Sequence, residues 1–426
     1  MARALAREVS FREVWAWSMY DFANSAYTTV VITAVFGAYF VSGVAGNAAW
    51  ATFAWTAALS VSYALVLFTG PAIGAYADAH GAKKRLLFFS TVGCVVFTAA
   101  LYFVAPGGVA LALVLVLLSN YFFGAGENLI AAFLPELADS KAMGRVSGWG
   151  WSFGYLGGLL ALGICLAFIM GSGKPAGHSV PVTMLITAAF FALAATPTFL
   201  FLKERTPPQR AKRERLLDAL KAAGPYPDLR RFLLCILFYQ AGITAVVALA
   251  AIYAEQAMKF TTQQTIVLIL VVNVTAAVGA FGFGYLQDAI GHVRALQLTL
   301  SGWILMVVIA FLSTDEPSFW VAANLAGLCM GSSQAAGRAM VGYLAPPARL
   351  AEFFGLWGLA VKAASIFGPL TYGAVTWIFA GNHRLGILVT GVYFVIGLVI
   401  LFRVDVERGR VAALAEAGRW QAAREP

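Results

Sequence analysis

The sequence predicts an all-α integral membrane protein with twelve transmembrane helices in two pseudo-symmetric six-helix halves. Three observations carry that prediction. Of the 426 residues 61% are apolar and only 12% are charged, a balance foreign to soluble domains. Apolar runs of eighteen residues or more, the length that crosses a hydrocarbon core about 30 Å thick, recur along the whole chain. The stretch Gly74-Ala-Tyr-Ala-Asp78-Ala-His-Gly81-Ala-Lys83-Lys84-Arg85 also returns about 210 residues later as Gly284-Tyr-Leu-Gln-Asp288-Ala-Ile-Gly291-His-Val-Arg294, each time between two apolar runs. One unit has been used twice.

The elements follow in order from apolar runs and the charges that bound them. The first span, near 14–41, follows Arg3, Arg7 and Arg12, and the uncharged turn Val41–Trp50 leads to the second, 52–77, which is followed by Lys83–Arg85. The third, 85–104, and fourth, 109–134, are joined by the uncharged turn Ala105–Val109, and the fourth stops at Pro135 ahead of Lys141 and Arg145. The fifth and sixth lie near 146–170 and 180–202, the seventh to ninth near 231–254, 264–287 and 294–313. The tenth, 317–343, precedes Pro346 and Arg349, and the eleventh and twelfth lie near 352–380 and 385–402. Lys and Arg thus gather on alternate turns, which puts both termini in the cytoplasm. The formal charge of +9 is then a topology signal, and no basic folded face points to nucleic acid. Glu8, Arg12 and Glu13 interrupt the N-terminus, so no cleavable signal is expected.

The domain reading is a first half over 1–202, a basic linker over 203–230, a second half over 231–403 and a tail over 404–426. In the linker Leu216, Leu217 and Leu220 stand at helical spacing among Arg213, Arg215 and Lys221, a pattern for a short helix on an anionic leaflet, and the tail reads the same way. Cys94, Cys165, Cys235 and Cys329 fall in four different spans without metal or redox spacing, so they are packing residues, and neither metal nor cofactor is expected.

With two halves in place, the repeated Gly-x-x-x-Asp-x-x-Gly-x-[Lys/Arg] turn resembles the signature loop of the major facilitator superfamily. The resemblance implies the major facilitator fold and a conformational latch made of Gly74, Asp78, Gly81, Lys83, Lys84, Asp288, Gly291 and Arg294. Physically, Gly74 and Gly284 would allow close helix packing, Gly81 and Gly291 a tight turn, and the aspartates stand at a helix end. The usual basic residue after the aspartate is replaced by Ala79 and Ala289, so the latch would draw on Lys83, Lys84 and Arg294. A narrower match, Tyr20-Asp21-Phe22-Ala23-Asn24-Ser25-Ala26-Tyr27, is similar to the opening of the vacuole-effluxer-like branch. That resemblance implies kinship with fungal vacuolar amino-acid exporters and with bacterial transporters.

Ionisable side chains inside spans mark function by default. Asp21, Asn24, Ser25 and Thr28 form one polar stripe on the first helix, and that face is expected to look at a cavity or another polar helix. The fourth span carries Asn120, Gly124, Glu127 and Asn128, and the tenth Asn324, Gly331, Gln334 and Arg338, with Glu127 and Gln334 taken as equivalent. Lys362 lies deep in the eleventh span, and Gln240 and Thr244 on the seventh and Asn273 on the eighth are further cavity candidates. At 1.5 Å per residue Asp21 lies roughly 12 Å into its helix, Glu127 and Arg338 about 12 Å before Pro135 and Pro346, and Lys362 about 15 Å from Glu352. The expected substrate and proton residues are therefore Asp21, Asn24, Tyr27, Glu127, Asn128, Gln240, Gln334, Arg338 and Lys362. Structural ion pairing between the halves is the competing explanation for the four charges. The glycines at 150, 154 and 158 read as a close helix contact.

No intramembrane histidine, H-E-x-x-H helix, nucleophile with a base or phosphate-cradling loop is present in the sequence, which argues against an enzyme or an ATP-driven pump. The expected function is proton-coupled secondary transport of a small metabolite by alternating access, by a monomer in the inner membrane of a prokaryote. Paired opposite charges in the site favour a zwitterion such as a neutral amino acid. Transport of a sugar, peptide or drug, or a non-transporting sensor on the same fold, are the alternatives.

Overall fold

The computed structural model describes residues 9–137, 143–205, 224–345 and 350–422. Each expected span lies on its own long helix. In chain order these are α1 (Phe11–Val44), α2 (Ala51–His80), α3 (Lys83–Ala100), α4 (Val109–Ala131), α5 (Met143–Ser172) and α6 (Ala176–Phe201). Then come α7 (Pro227–Ala257), α8 (Thr262–Ile290), α9 (His292–Leu312), α10 (Glu316–Leu344), α11 (Leu350–Ile378) and α12 (His383–Leu401). A last helix, α13 (Val406–Ala422), forms the tail. Among the described residues ten of these helices are long and apolar enough to cross a membrane; α10 and α11, with 29 residues each, are not among those ten and are the helices that carry Gln334, Arg338 and Lys362. The linker leucines at 216, 217 and 220 lie outside the described residues.

The first helix is not uniform. It opens with a reciprocal capping box between Ser10 and Glu13, stays α-helical to Ala26, and then widens to π-helix over Tyr27–Ala34 and Phe40–Val44. Wide π turns leave backbone groups less regularly paired and tend to occur where a helix does work.

Contacts divide the chain into two compact units, one of Met1–Arg213 with Ala248–Leu270, the other of Glu214–Val247 with Val271–Pro426. In the first unit α1 is the axis, packed on α5 and α6, while α3 joins α4 and α6. Trp17 donates its indole N–H to the Ile130 carbonyl at 2.9 Å, Thr198 donates to the Ala16 carbonyl at 2.7 Å, and Tyr27 stacks on Phe123. In the second unit α9 packs on α10 and α12. There Trp303 stacks on Phe394 at 4.9 Å, and the Cys235 thiol donates to the Gly397 carbonyl. Large apolar side chains such as Phe68, Leu193 and Ile378 remain more than 70% exposed; a single-chain water-soluble surface does not tolerate so many, and lipid does.

One end of the first unit is rich in charge. Glu204, just past α6, accepts from the backbone amides of Lys83 (2.8 Å) and Lys84 (3.1 Å), so it caps an α3 N-terminus whose own residue Ala82 has no capping group. Lys83, almost fully buried, places Nζ 3.1 Å from Glu136 Oε1, and Lys84 donates to the Leu202 carbonyl. Arg205 grips both oxygens of Glu13 at 2.9 and 2.7 Å and donates its backbone amide to Glu136. The second unit has a matching clamp. Arg408 on α13 grips both oxygens of Asp228 at the start of α7, at 2.7 and 2.6 Å. The tail helix is docked on its own unit by this clamp, and Arg410 adds a bond to the Tyr343 carbonyl.

Candidate transport site

Tyr20 fixes the level at which the first unit carries its carboxylates. Its hydroxyl lies 3.0 Å from Thr91 Oγ1 and so close to Gly126 that a β-carbon there would overlap it. The neighbours of this contact are Asp21 on α1 and Glu127 on α4, both half-buried.

Asp21 does not face open space. A β-carbon at Gly150 would strike Asp21 Oδ2, one at Gly154 the Ser25 hydroxyl, one at Gly157 the Phe22 carbonyl and one at Gly158 the Thr29 hydroxyl. The polar stripe of α1 is laid along a groove of glycines on α5, which the sequence could offer as either a cavity wall or a helix contact. Asn24 is buried on the same helix with its side-chain oxygen unpartnered, and Asn120 on α4 likewise leaves its oxygen unpartnered while its amide donates to Ser62. Tyr27 is fully buried, its hydroxyl 2.8 Å from Ser119 Oγ. Asn128 is exposed and, with Thr69 and Lys83, borders a cavity of about 80 Å³ between α2 and α4.

The second unit repeats this arrangement within itself. Tyr239 on α7 crowds Gly337 on α10 as Tyr20 crowds Gly126, and the Ala241 carbonyl crowds Gly368 on α11 as the Phe22 carbonyl crowds Gly157. The matching contacts make Gln240 the counterpart of Asp21 and Arg338 the counterpart of Glu127. The equivalence of Glu127 with Gln334 is thereby corrected: it matched amide to carboxyl by chemical likeness, whereas packing shifts the register by one helical turn. Gln334 and Lys362 are half-buried, and the side chain of Arg338 lies outside the described residues. The Gln240 carbonyl accepts from Thr244, whose hydroxyl also reaches the Ala364 carbonyl, so Thr244 is spent on helix contact.

In the repeated turns Gly81 and Gly291 both have positive φ, 56° and 88°, the region that favours glycine. Gly74 does not meet the expectation of close packing. A β-carbon there would touch nothing within 4 Å, because the residue borders the α2–α4 cavity. Lys83 and Lys84 are committed to Glu136 and Leu202, Arg294 is exposed, and the side chains of Asp78 and Asp288 lie outside the described residues.

Residues 43–414 match the family described as vacuole effluxer Atg22 like. The chain belongs to that family. It is 28% identical over 409 residues to an uncharacterized MFS-type transporter, YxiO, of Bacillus subtilis, covering 92% of this chain and 94% of that protein. It is 24% identical over 335 residues to autophagy-related protein 22-1 of Aspergillus fumigatus, covering 70% of this chain and 55% of the longer fungal protein. Among solved structures, a point mutant of the nucleoside transporter NupG superposes with a TM-score of 0.72 at 14% identity, covering 92% of this chain and 98% of that one. A D-xylose-proton symporter superposes with a TM-score of 0.70 at 13% identity, covering 93% and 98%. These likenesses establish the major facilitator fold. As a member of the Atg22-like family the protein is a multi-pass membrane transporter, not an enzyme, and its partners are a small-molecule substrate and membrane lipid.

Three features of this transporter were not singled out in the sequence: the clamps Glu13–Arg205 and Asp228–Arg408, and the carboxylate of Glu255 near the end of α7. The clamp partners lie 192 and 180 residues apart, so no local spacing advertises them. Glu255 stood at the edge of an apolar run, where an acid reads as a boundary.

Proposed function

We propose that this transporter moves a small zwitterion, a neutral amino acid with a bulky apolar side chain, by alternating access coupled to protons. The carrying observation is the opposite charge at matching packing positions, Glu127 in one repeat and Arg338 in the other. A ligand with both an ammonium and a carboxylate offers a counter-charge to each member of such a set, which a neutral ligand does not. Lys362 is the second cation proposed for the ligand carboxylate, and Phe22 and Trp357 are the aromatic candidates to cover its side chain. The description of the family as effluxers favours export, and the distribution of Lys and Arg favours cytoplasmic termini in a prokaryotic inner membrane.

The test is a thermal-shift screen of the purified protein over amino acids, sugars, peptides and drugs, since a ligand of the folded state raises apparent stability. Zwitterions should shift the transition, and Lys362→Ala should weaken the best of them about 10-fold to 1,000-fold. Unchanged affinity in that variant, or a response to sugars or cationic drugs alone, overturns the substrate assignment.

A further inference from the structure

At the end of the first unit remote from the Glu13–Arg205 clamp, one carboxylate stands in otherwise uncharged surroundings. Glu255 is near the C-terminal end of α7, in the segment Ala248–Leu270 that belongs to the unit of α1–α6. Its Oε1 is buried without a hydrogen-bond partner, and the groups that reach the carboxyl are the hydroxyls of Ser42, on the π-helical end of α1, and Thr262, at the start of α8. Beside it Gln256 Nε2 donates to Asn47 Oδ1 at 2.7 Å, tying α7 to the α1–α2 turn. Tyr39 OH, Trp55 Nε1 and Thr265 Oγ1, all near the same ends of their helices, are also buried and unpartnered.

The surrounding elements bring no counter-charge to this carboxyl. Tyrosines apart, α1 from Phe22 onward, the α1–α2 turn, α2 as far as Ala77, the α3–α4 turn, the first half of α4 and α8 as far as Gln287 carry no titratable side chain. Lys259 in the α7–α8 turn, and Lys174 and His178 in the α5–α6 turn, are the other titratable groups at this end of the first unit, and all three are exposed; Asp315, Glu316, His383 and Arg384, in the α9–α10 and α11–α12 turns, belong to the second unit. Among the described residues none of them pairs with Glu255. An ionised carboxylate in that position holds one oxygen out of water with neither cation nor full complement of donors. A proton removes the charge and supplies an O–H that a Ser42 or Thr262 oxygen can accept.

We propose that Glu255 is a proton-binding residue of an outer gate, which stays packed on α1 while the carboxyl is protonated and parts from it when the carboxyl ionises. The packed form binds the proton more tightly than the parted form. Packing is therefore favoured at low pH and lost as pH rises, because the parted form is the one that releases the proton. The π-helical turns of α1 give that helix a deformable end against which such a gate can reseat. This site is separate from Glu127; it depends on the transport reading only for its place in a cycle, so its test reads gate opening rather than flux.

Two reporter cysteines are introduced into the full-length protein in lipid nanodiscs: Val41→Cys, at a buried position on α1, and Ala49→Cys, exposed in the α1–α2 turn. Both are labelled with a membrane-impermeant maleimide, and the ratio of their rates cancels the intrinsic pH dependence of thiols. The four native cysteines are buried and set the baseline. From about pH 5 to about pH 8 the ratio should rise ~10-fold or more, within the limit of 10-fold per pH unit that one titrating proton allows. Glu255→Gln should hold it low throughout, and Glu255→Asp should keep the rise with a displaced midpoint. A rise that survives Glu255→Gln, a flat ratio in the parent, or an unmoved midpoint in Glu255→Asp overturns the proposal. A ratio that follows sodium at constant pH makes the bound cation sodium and overturns it equally. Loss of gradient-driven flux with the labelling step intact counts against proton-coupled transport alone and leaves the gate standing.

Discussion

Glu127 and Arg338 sit at corresponding places in two copies of one helix contact, beside Gly126 under Tyr20 and beside Gly337 under Tyr239. Duplication has kept the packing and inverted the charge. Only the first copy carries an acid, because a guanidinium stays charged at any physiological pH. Glu127→Gln keeps the shape and removes the proton, so it should abolish accumulation driven by a pH gradient while sparing exchange of substrate for substrate in proteoliposomes. Accumulation that persists in this variant takes the coupling role away from Glu127. The equivalence itself was legible in the sequence by one route and hidden by another. Both residues stand the same distance before a proline, Pro135 and Pro346, which marks the same helix end; matching by side-chain chemistry picked Gln334 instead. The charged residues of the clamps were illegible for a different reason, since an acid at the start of a span and an arginine after the last one look like ordinary topology signals.

Helix against helix, the glycines decide how close the halves of each unit come. Gly157 and Gly368 sit under a backbone carbonyl, of Phe22 and Ala241, which cannot rotate away, whereas Gly158 sits under the Thr29 side chain, which can. Gly157→Ala and Gly368→Ala should each cost about 1–3 kcal/mol or more in folded-state stability, as overpacking does, and Gly158→Ala less. Thermal unfolding in a fixed detergent measures the order, and a Gly158 variant as damaging as the Gly157 variant contradicts the geometry. At this scale the sequence was nearly transparent. Among the described residues each apolar run lies on a long helix, ten of them long and apolar enough to cross a membrane, because a backbone in lipid has no other partner for its N–H and C=O groups. What periodicity left open was the direction of the α1 polar stripe. A row of hydroxyls and one carboxylate suits a wet cavity and a glycine groove alike, and only the three-dimensional pairing with α5 distinguishes them.

Across the whole molecule the repeated turn after α2 and after α8 is where a change of state would be felt twice. Asp78→Asn and Asp288→Asn should alter transport rate much more than substrate affinity, because a latch shifts the populations of states and leaves the contacts of the bound ligand unchanged. Initial flux and Kd measured side by side test this; wild-type flux in both variants reduces the loop to a plain turn. Gly81 and Gly291 are both at positive φ, a conformation that glycine adopts without strain. The same scale shows a consequence of where the first compact unit ends. Its last segment, Ala248–Leu270, comes after the linker in the chain, so six helices can leave the ribosome and enter the bilayer before the piece that completes their unit exists. At roughly 5–20 residues per second the gap lasts several seconds. During that interval the surface of α1 that later meets Ser42's partner on α7 has nothing of its own chain to lie against, and nascent chains of this protein should be most in need of an insertase or chaperone at that moment of their synthesis.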